Sequence, residues 1–197
     1  MKKYLALLVS VSLLSLCAGR GYAGTKAVMD QVCTMCHNIA RPMTKKKDRA
    51  GWEATVKRMA SKTNKISAEQ SVQIVDFLSK IRDINASFQS AKDSAHLTDI
   101  EKLHVPNIEA PASVAPRSVA KVKVEVGQQA HPMTKEHNIF AIELYVNNRW
   151  VDLVELEPGQ EPKAELSGTI FKTFPIEVVA HCNVDGSWSV KSEIKAE

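Results

Sequence analysis

Two parts of the chain differ in the spacing of their hydrophobic residues. Within residues 24–84, apolar side chains recur every three or four positions, the period of an amphipathic helix. Ser67 followed by Gln70 forms a capping box, which is typical of a helix start. From residue 121 onward, apolar and polar residues alternate as in half-buried strands. The pattern therefore predicts a helical part followed by a β-rich part.

The β-rich part divides into short strands separated by turns, as in a small antiparallel sandwich. The predicted strands cover residues 122–126, 139–146, 150–156, 176–180 and 188–194. Residues 85–118 are less periodic and rich in proline, which indicates a linker and the entry to a new domain. The helical part has only about 60 residues, so we expect something besides side chains to fill its core.

The first 23 residues have the pattern of a secretory signal peptide. Lys2 and Lys3 precede an apolar run, and Gly21-Tyr22-Ala23 offers a small-x-small cleavage site. We expect residues 1–23 to be removed and the mature chain to be periplasmic. A retained N-terminal anchor is the alternative.

Composition excludes several classes of protein. The chain has 197 residues, of which 44% are hydrophobic and 24% charged, so it is neither collagen-like nor disordered. The formal net charge is +4, but three of the basic residues lie in the predicted leader. The remainder is close to neutral, and bulk charge gives no support for a nucleic-acid partner.

Cysteine spacing points to chemistry. Cys33-Thr34-Met35-Cys36-His37 has the C-x-x-C-H pattern of covalent haem c attachment, in which two thiols bind the vinyl groups and the imidazole ligates the iron. A redox dithiol or half a zinc site is the alternative, but there is no second C-x-x-C. Cys182 is then unpaired in an exported chain, so it is expected to be free, ligating or modified.

Two methionines compete for the sixth position of the haem iron. Met43 follows His37 by only six residues, so it would need an abrupt chain reversal to reach the opposite haem face. We favour Met59, which lies on a separate predicted helix. The segment resembles small monohaem c-type cytochromes that carry a tryptophan and then a methionine on the helix after the haem motif, here Trp52 and Met59. Met59 as a simple core residue is the alternative.

Three later segments each carry histidine or cysteine, and they cover residues 101–106, 131–137 and 182–188. In sequence and in order they resemble the ligand-bearing segments of the superoxide reductase family, which includes neelaredoxin and the iron domain of desulfoferrodoxin. The resemblance covers about residues 101 to 197. It implies an Ig-like sandwich that holds one mononuclear iron by four equatorial histidines and an axial cysteine.

The resemblance also assigns residues. It makes His104, His131 and His137 equatorial ligands and Cys182 the axial sulfur. Asp185 stands where the family has its fourth histidine, so it is expected either to ligate or to leave that position to water. His181 is a poor replacement, since adjacent strand residues point to opposite faces.

The resemblance implies a role for lysine as well. In the family a lysine directly precedes the first ligand histidine and guides the anionic substrate, whereas here Leu103 separates Lys102 from the histidine. Lys102 and Lys135 are the catalytic candidates for attracting a small anion. Each is otherwise an ordinary solvated lysine.

Together these patterns predict an α+β two-domain chain, with a small all-α cytochrome c domain followed by an Ig-like antiparallel β-sandwich. The expected boundaries are 24–86 for the cytochrome domain, 87–100 for the linker and 101–197 for the iron domain. We expect the haem to feed electrons to an iron that reduces superoxide to hydrogen peroxide, with an upstream periplasmic or membrane electron donor. Homo-oligomerisation stays open.

Other functions are not excluded by the sequence. The main alternative is a non-catalytic electron-transfer or redox-sensing protein with an altered iron site, for which Asp185 argues most directly. A carrier that uses Cys182 as a covalent attachment point is a further alternative.

Overall fold

The computed structural model describes residues 24–197, so the predicted leader lies outside the described residues. The helices are α1 (Thr25–Cys33), α2 (Ala40–Met43), α3 (Arg49–Thr63), α4 (Ala68–Ile81) and α5 (Asp99–His104). The strands are β1 (Phe88–Gln89), β2 (Pro106–Glu109), β3 (Ser113–Val114), β4 (Ser118–Val126), β5 (Ile139–Val146), β6 (Arg149–Glu155), β7 (Lys163–Ile170), β8 (Phe174–Cys182) and β9 (Gly186–Ala196). Within residues 24–197, no helix is long and apolar enough to cross a membrane.

Two sheets enclose the larger hydrophobic core. One has the order β1-β9-β8-β5-β6, with β3 also paired to β9, and the other has the order β2-β4-β7. Alternation along β4 buries Val122, Val124 and Val126 against side chains such as Ile142 and Val178 of the larger sheet. The predicted sandwich is therefore present, although β1 and β3 pair with β9 in parallel rather than antiparallel.

The helices cover the outer face of the larger sheet. In α4 the capping box of Ser67 and Gln70 is formed as predicted, and the helix buries an apolar face that includes Ile74 and Leu78. That face belongs to a second hydrophobic cluster, which also contains Trp150 and Leu153 of β6. The helical residues and the strand residues thus share one core.

This shared core corrects the predicted fold class. An α+β two-domain chain with a small all-α cytochrome domain is wrong, because the short helices are a layer on a mostly β fold and share their core with β5 and β6. A buried ion pair between Arg82, which follows α4, and Glu143 of β5 also joins the two layers. Helical periodicity revealed the helices but carried no information about which surface would cover them.

Helix α5 lies in the stretch that the sequence pattern indicated to be irregular. Thr98 and Glu101 form a capping box at its start, with the Thr98 amide donating to Glu101 Oε2 at 2.8 Å. The signal was present in the sequence as a Thr-x-x-Glu spacing. This short helix matters because it ends at His104.

Candidate functional site

Five predicted metal ligands come together at one end of the sandwich. They lie at the end of α5, in the loop between β4 and β5, at the end of β8 and in the turn before β9, and they are His104, His131, His137, Cys182 and Asp185. Each offers one donor atom, and these atoms all lie within 4.8 Å of one another. Residues far apart in the chain therefore converge as a metal site requires.

The donor atoms lie at hydrogen-bond or ion-pair distances from one another. Nε2 of His104 and Nε2 of His131 are 3.1 Å apart. Asp185 Oδ2 lies 3.1 Å from His104 Nε2, 2.9 Å from His137 Nε2 and 3.8 Å from Cys182 Sγ. Asp185 therefore occupies the middle of the group rather than its edge.

Hydrogen bonds on the far side of two rings leave Nε2 free to ligate. His104 Nδ1 lies 2.8 Å from the Ile100 carbonyl oxygen, and His131 Nδ1 lies 2.5 Å from that of Pro132. Such bonds place the proton on Nδ1 and aim the Nε2 lone pair inward. Burial lowers the pKa of His131 to about 4, which keeps that imidazole neutral, as metal binding requires.

His137 provides a direct test of whether a metal fits. Its Nε2 is buried and, among the described residues, makes no hydrogen bond of good geometry, even though Asp185 Oδ2 lies 2.9 Å away. A buried polar atom without a partner is costly. A cation between imidazole and carboxylate would satisfy both groups.

Cys182 supplies a sulfur held by backbone amides. The N–H groups of Val184 and Asp185 donate to Sγ at 3.5 and 3.3 Å. Burial raises the pKa of the Cys182 thiol, while these two amides act in the opposite direction. The thiol is therefore protonated at neutral pH in the metal-free chain, and metal binding would release that proton.

The turn that carries Asp185 is fixed from two directions. The Asp185 carbonyl accepts hydrogen bonds from Gln89 Nε2 at 2.8 Å and from Trp188 Nε1 at 3.1 Å. The Trp188 indole also stacks on the His104 imidazole, with 5.4 Å between ring centroids. Gly186 closes the turn with a φ of +79°, a conformation that favours glycine.

A second glycine brings two ligand segments together. Gly127 follows β4 with a φ of +85°, and its amide donates to the Val105 carbonyl at 3.1 Å. A Cβ at this position would lie 2.6 Å from the Leu103 carbonyl oxygen. The loop that carries His131 thus crosses the end of α5, which carries His104, at a distance that only glycine allows.

The lysine candidates differ in their surroundings. Lys102 Nζ forms an ion pair with Asp99 at 3.0 Å, which compensates its charge. Lys135 is exposed, lies two residues before the predicted ligand His137 and forms no ion pair within residues 24–197. The structure leaves both at the surface, and the positive charge of Lys135 is the less compensated of the two.

The C-x-x-C-H motif lines a cavity of about 490 Å³ among the helices. Cys33, Cys36 and His37 share its wall with Trp52 and Met59. His37 Nδ1 lies 3.1 Å from the Asn38 carbonyl oxygen, an arrangement that leaves Nε2 free for a metal.

Met43, the rejected alternative to Met59, is almost fully buried and lies outside the lining of this cavity. The arrangement suits a bulky apolar group held at the motif.

A buried polar cluster was missed by sequence reasoning. Glu143 is fully buried on the helix-facing side of β5, with Arg82, Tyr145, Trp150 and His181 around its carboxylate. His181 Nε2 lies 2.9 Å from Glu143 Oε2, away from the metal ligands. Only the alternation of β5 and β8 could have placed these residues on one face.

The same surroundings set the charge of this carboxylate. Burial alone would raise the pKa of Glu143, but the hydrogen bonds and charges of His181 and Arg82 hold it at about 2. Burial, together with the Glu143 charge, raises the pKa of the Tyr145 hydroxyl. Glu143 is therefore ionised, and Tyr145 neutral, at neutral pH.

Comparison with known proteins places similarity on the half that carries the five predicted ligands. The desulfoferrodoxin family model matches residues 96–191. A desulfoferrodoxin homologue of Archaeoglobus fulgidus is 39% identical over 85 residues, which are 43% of this chain and 59% of that protein. The desulfoferrodoxin of Clostridium acetobutylicum is 32% identical over 103 residues, which are 50% of this chain and 70% of that protein.

A solved structure shows the same likeness. A superoxide reductase (neelaredoxin) variant from Ignicoccus hospitalis superposes with a TM-score of 0.50 and 29% identity, covering 56% of this chain and 94% of its own. The region that the family model matches begins at residue 96, close to the start of α5.

Proposed function

The chain belongs to the desulfoferrodoxin family of oxidoreductases, and from this we propose that it reduces superoxide to hydrogen peroxide at a mononuclear iron. The observation that carries the proposal is the convergence of three imidazoles, a thiol and a carboxylate within 4.8 Å. Imidazole and thiolate together suit iron, and a carboxylate adds a hard oxygen donor. Per superoxide, the reaction takes up one electron and two protons.

The five side chains would hold the metal, and when bound the iron would supply the single electron. Cys182 Sγ would donate charge as thiolate, with the amides of Val184 and Asp185 limiting that charge. His104 and His131 are locked by their carbonyl partners, so they would hold their orientation through a change of oxidation state.

The exposure of the predicted ligand side chains indicates the side from which a substrate would reach the metal. The His104 side chain is 1% exposed, whereas His137 and Asp185 are 29% and 25% exposed. A small anion would therefore approach past His137 and Asp185, on the side where Lys135 contributes uncompensated positive charge. We propose Lys135 as the main electrostatic guide, with Lys102 weaker because Asp99 neutralises it.

We further propose that Cys33 and Cys36 would bind haem c covalently, and that His37 and Met59 would ligate its iron. The shared cavity of about 490 Å³ supports this. A one-electron reductase must be reloaded after each turnover, and a tethered haem has a high effective concentration. Residues 24–86 would then be the haem-bearing segment of an exported, periplasmic protein that receives electrons from an upstream donor.

Metal content and a superoxide pulse test the proposal together. Protein expressed with haem maturation should contain one haem and one non-haem iron per chain. A superoxide pulse on the reduced protein should oxidise the non-haem iron in proportion to the superoxide added. A preparation that contains haem but no non-haem iron would overturn the proposal that the protein is a superoxide reductase.

Asp185 in the place of a histidine favours one second candidate, a redox sensor or electron carrier without turnover. In that case the iron would be present but would stay reduced after the pulse. Asp185→His supplies the matched comparison, since it restores the family's ligand. If only the histidine variant is oxidised by superoxide, the second candidate is correct.

A further inference from the structure

The two proposed redox sites are joined by an unbroken series of contacts. Trp52 lines the haem cavity, and its Nε1 donates to the Arg82 carbonyl at 3.2 Å. The Arg82 guanidinium donates to both oxygens of Glu143, at 3.0 Å to Oε2. His181 Nε2 lies 2.9 Å from that same Oε2, and the next residue is Cys182.

The position of His181 lets the series cross the sheet in one step. Even-numbered residues of β8, such as Val178 and Cys182, face the sandwich core, whereas His181 faces the helices. A single peptide bond therefore links the helix-facing cluster to the sulfur among the metal ligands.

We propose that Trp52, Arg82, Glu143 and His181 form the electron route from the haem to Cys182, an inference that rests on the proposed function. One electron passes from ferrous haem, which becomes ferric, to ferric non-haem iron, which becomes ferrous. No bond is made or broken, and no proton is needed. Electron tunnelling decays less steeply through covalent and hydrogen bonds than across gaps, so a bonded series is favoured over packed side chains.

The burial of the cluster fits this role. The side chains of Arg82 and Glu143 are 3% and 0% exposed, and the carboxylate is satisfied from four sides. A buried network whose hydrogen bonds are all formed is rigid, so little reorganisation is expected during transfer. His181 is likewise held on its second nitrogen, where Nδ1 lies 2.8 Å from Ser187 Oγ.

The test uses the complete protein, loaded with haem and iron and fully reduced. A superoxide pulse oxidises the non-haem iron, and haem absorbance then reports the rate at which the haem loses its electron. His181→Phe removes the contact with Glu143 while the ring stays among Phe88 and Phe140. We expect haem oxidation to be slower than in the wild-type chain, because the contact between Glu143 and the residue before Cys182 is lost.

Ser187→Ala is the matched control, because it removes the other hydrogen bond of His181 and leaves the route intact. In this variant the haem should lose its electron at about the wild-type rate. Equal slowing in both variants would overturn the route, as would an unchanged rate in His181→Phe. Redox titration of both centres completes the test. If His181→Phe slows haem oxidation and also alters the potential of the non-haem iron, the slowing comes from a changed driving force and not from loss of the route.

Trp52→Phe interrupts the series at its other end and covers the case in which the His181 variant does not fold. It should slow the transfer to a similar extent, and an unchanged rate would again overturn the route. Failure of the proposed function looks different. If iron is oxidised in the wild-type chain and the haem stays reduced, the haem does not supply the electrons and the route has no role.

Discussion

Two polar clusters lie on opposite sides of β8, and they are satisfied in different ways. Around Glu143 every charge has a protein partner, with Arg82 and His181 as the closest. Around Asp185 the donors crowd one another, and the buried Nε2 of His137 has no well-formed hydrogen bond among the described residues. The first cluster is complete within the chain, whereas the second would be completed by a bound cation. His181 and Cys182 are neighbours in the chain, yet His181 belongs to the Glu143 cluster and Cys182 to the Asp185 cluster.

The largest expected effect is on the incomplete cluster. Cys182→Ala should lower iron retention more than about 100-fold, because loss of a ligand exceeds the effect of losing its outer partners. Elemental analysis after dialysis against a chelator measures this. His96→Ala is the control, since His96 is exposed and lies outside the cluster. Equal iron in both variants would contradict the site.

The complete cluster should respond in stability rather than in metal content. Arg82→Met leaves Glu143 buried without its guanidinium partner and should cost about 3–5 kcal/mol of unfolding free energy. Urea denaturation of the metal-free protein measures the loss. Lys121→Met breaks the exposed pair with Glu165, at 2.7 Å, and should cost less than about 1 kcal/mol. Similar losses of unfolding free energy in the two variants would show that the buried Arg82–Glu143 pair stabilises the fold no more than the exposed pair does.

Acid should weaken the same cluster over a defined pH range. The pKa of Glu143 is about 2 in the folded chain and near its ordinary 4.5 when unfolded, so between these values the unfolded state binds more protons. Stability is therefore lost as the pH falls from about 4.5 to about 2, by about 3 kcal/mol.

Glu143→Gln has no proton to bind at this position. The variant should lose less stability than the wild-type chain over the same pH interval, measured by urea denaturation at each pH. Parallel losses in the two proteins would contradict the lowered pKa.

The smallest effect concerns the helix that places His104. Thr98→Ala removes the side-chain cap of α5 and should lower the stability of the helix by about 1 kcal/mol. Thr98→Ser keeps the hydroxyl and should retain most of that stability. Hydrogen exchange of the α5 amides measures the change. If alanine and serine protect these amides equally, the cap does not hold the helix.

The sequence contained most of the candidate site and much less of the architecture. The three ligand segments were recognisable because each is local, and the family membership they implied is confirmed by the comparisons. The roles of the individual ligands and the binding of haem stay predictions. The Arg82–Glu143 pair joins residues 61 positions apart, and no local pattern marks either as a partner. The same lack of long-range information led to the incorrect two-domain prediction.

Gly127 has a consequence for how the candidate centre tolerates mutation. A methyl group there would lie 2.6 Å from the Leu103 carbonyl oxygen, so the backbone after β4 or the end of α5 would have to move. Because these two segments carry His131 and His104, a substitution at Gly127 is expected to disturb the spacing of the two imidazoles. A position that contributes no donor atom would then limit metal binding through the backbone alone.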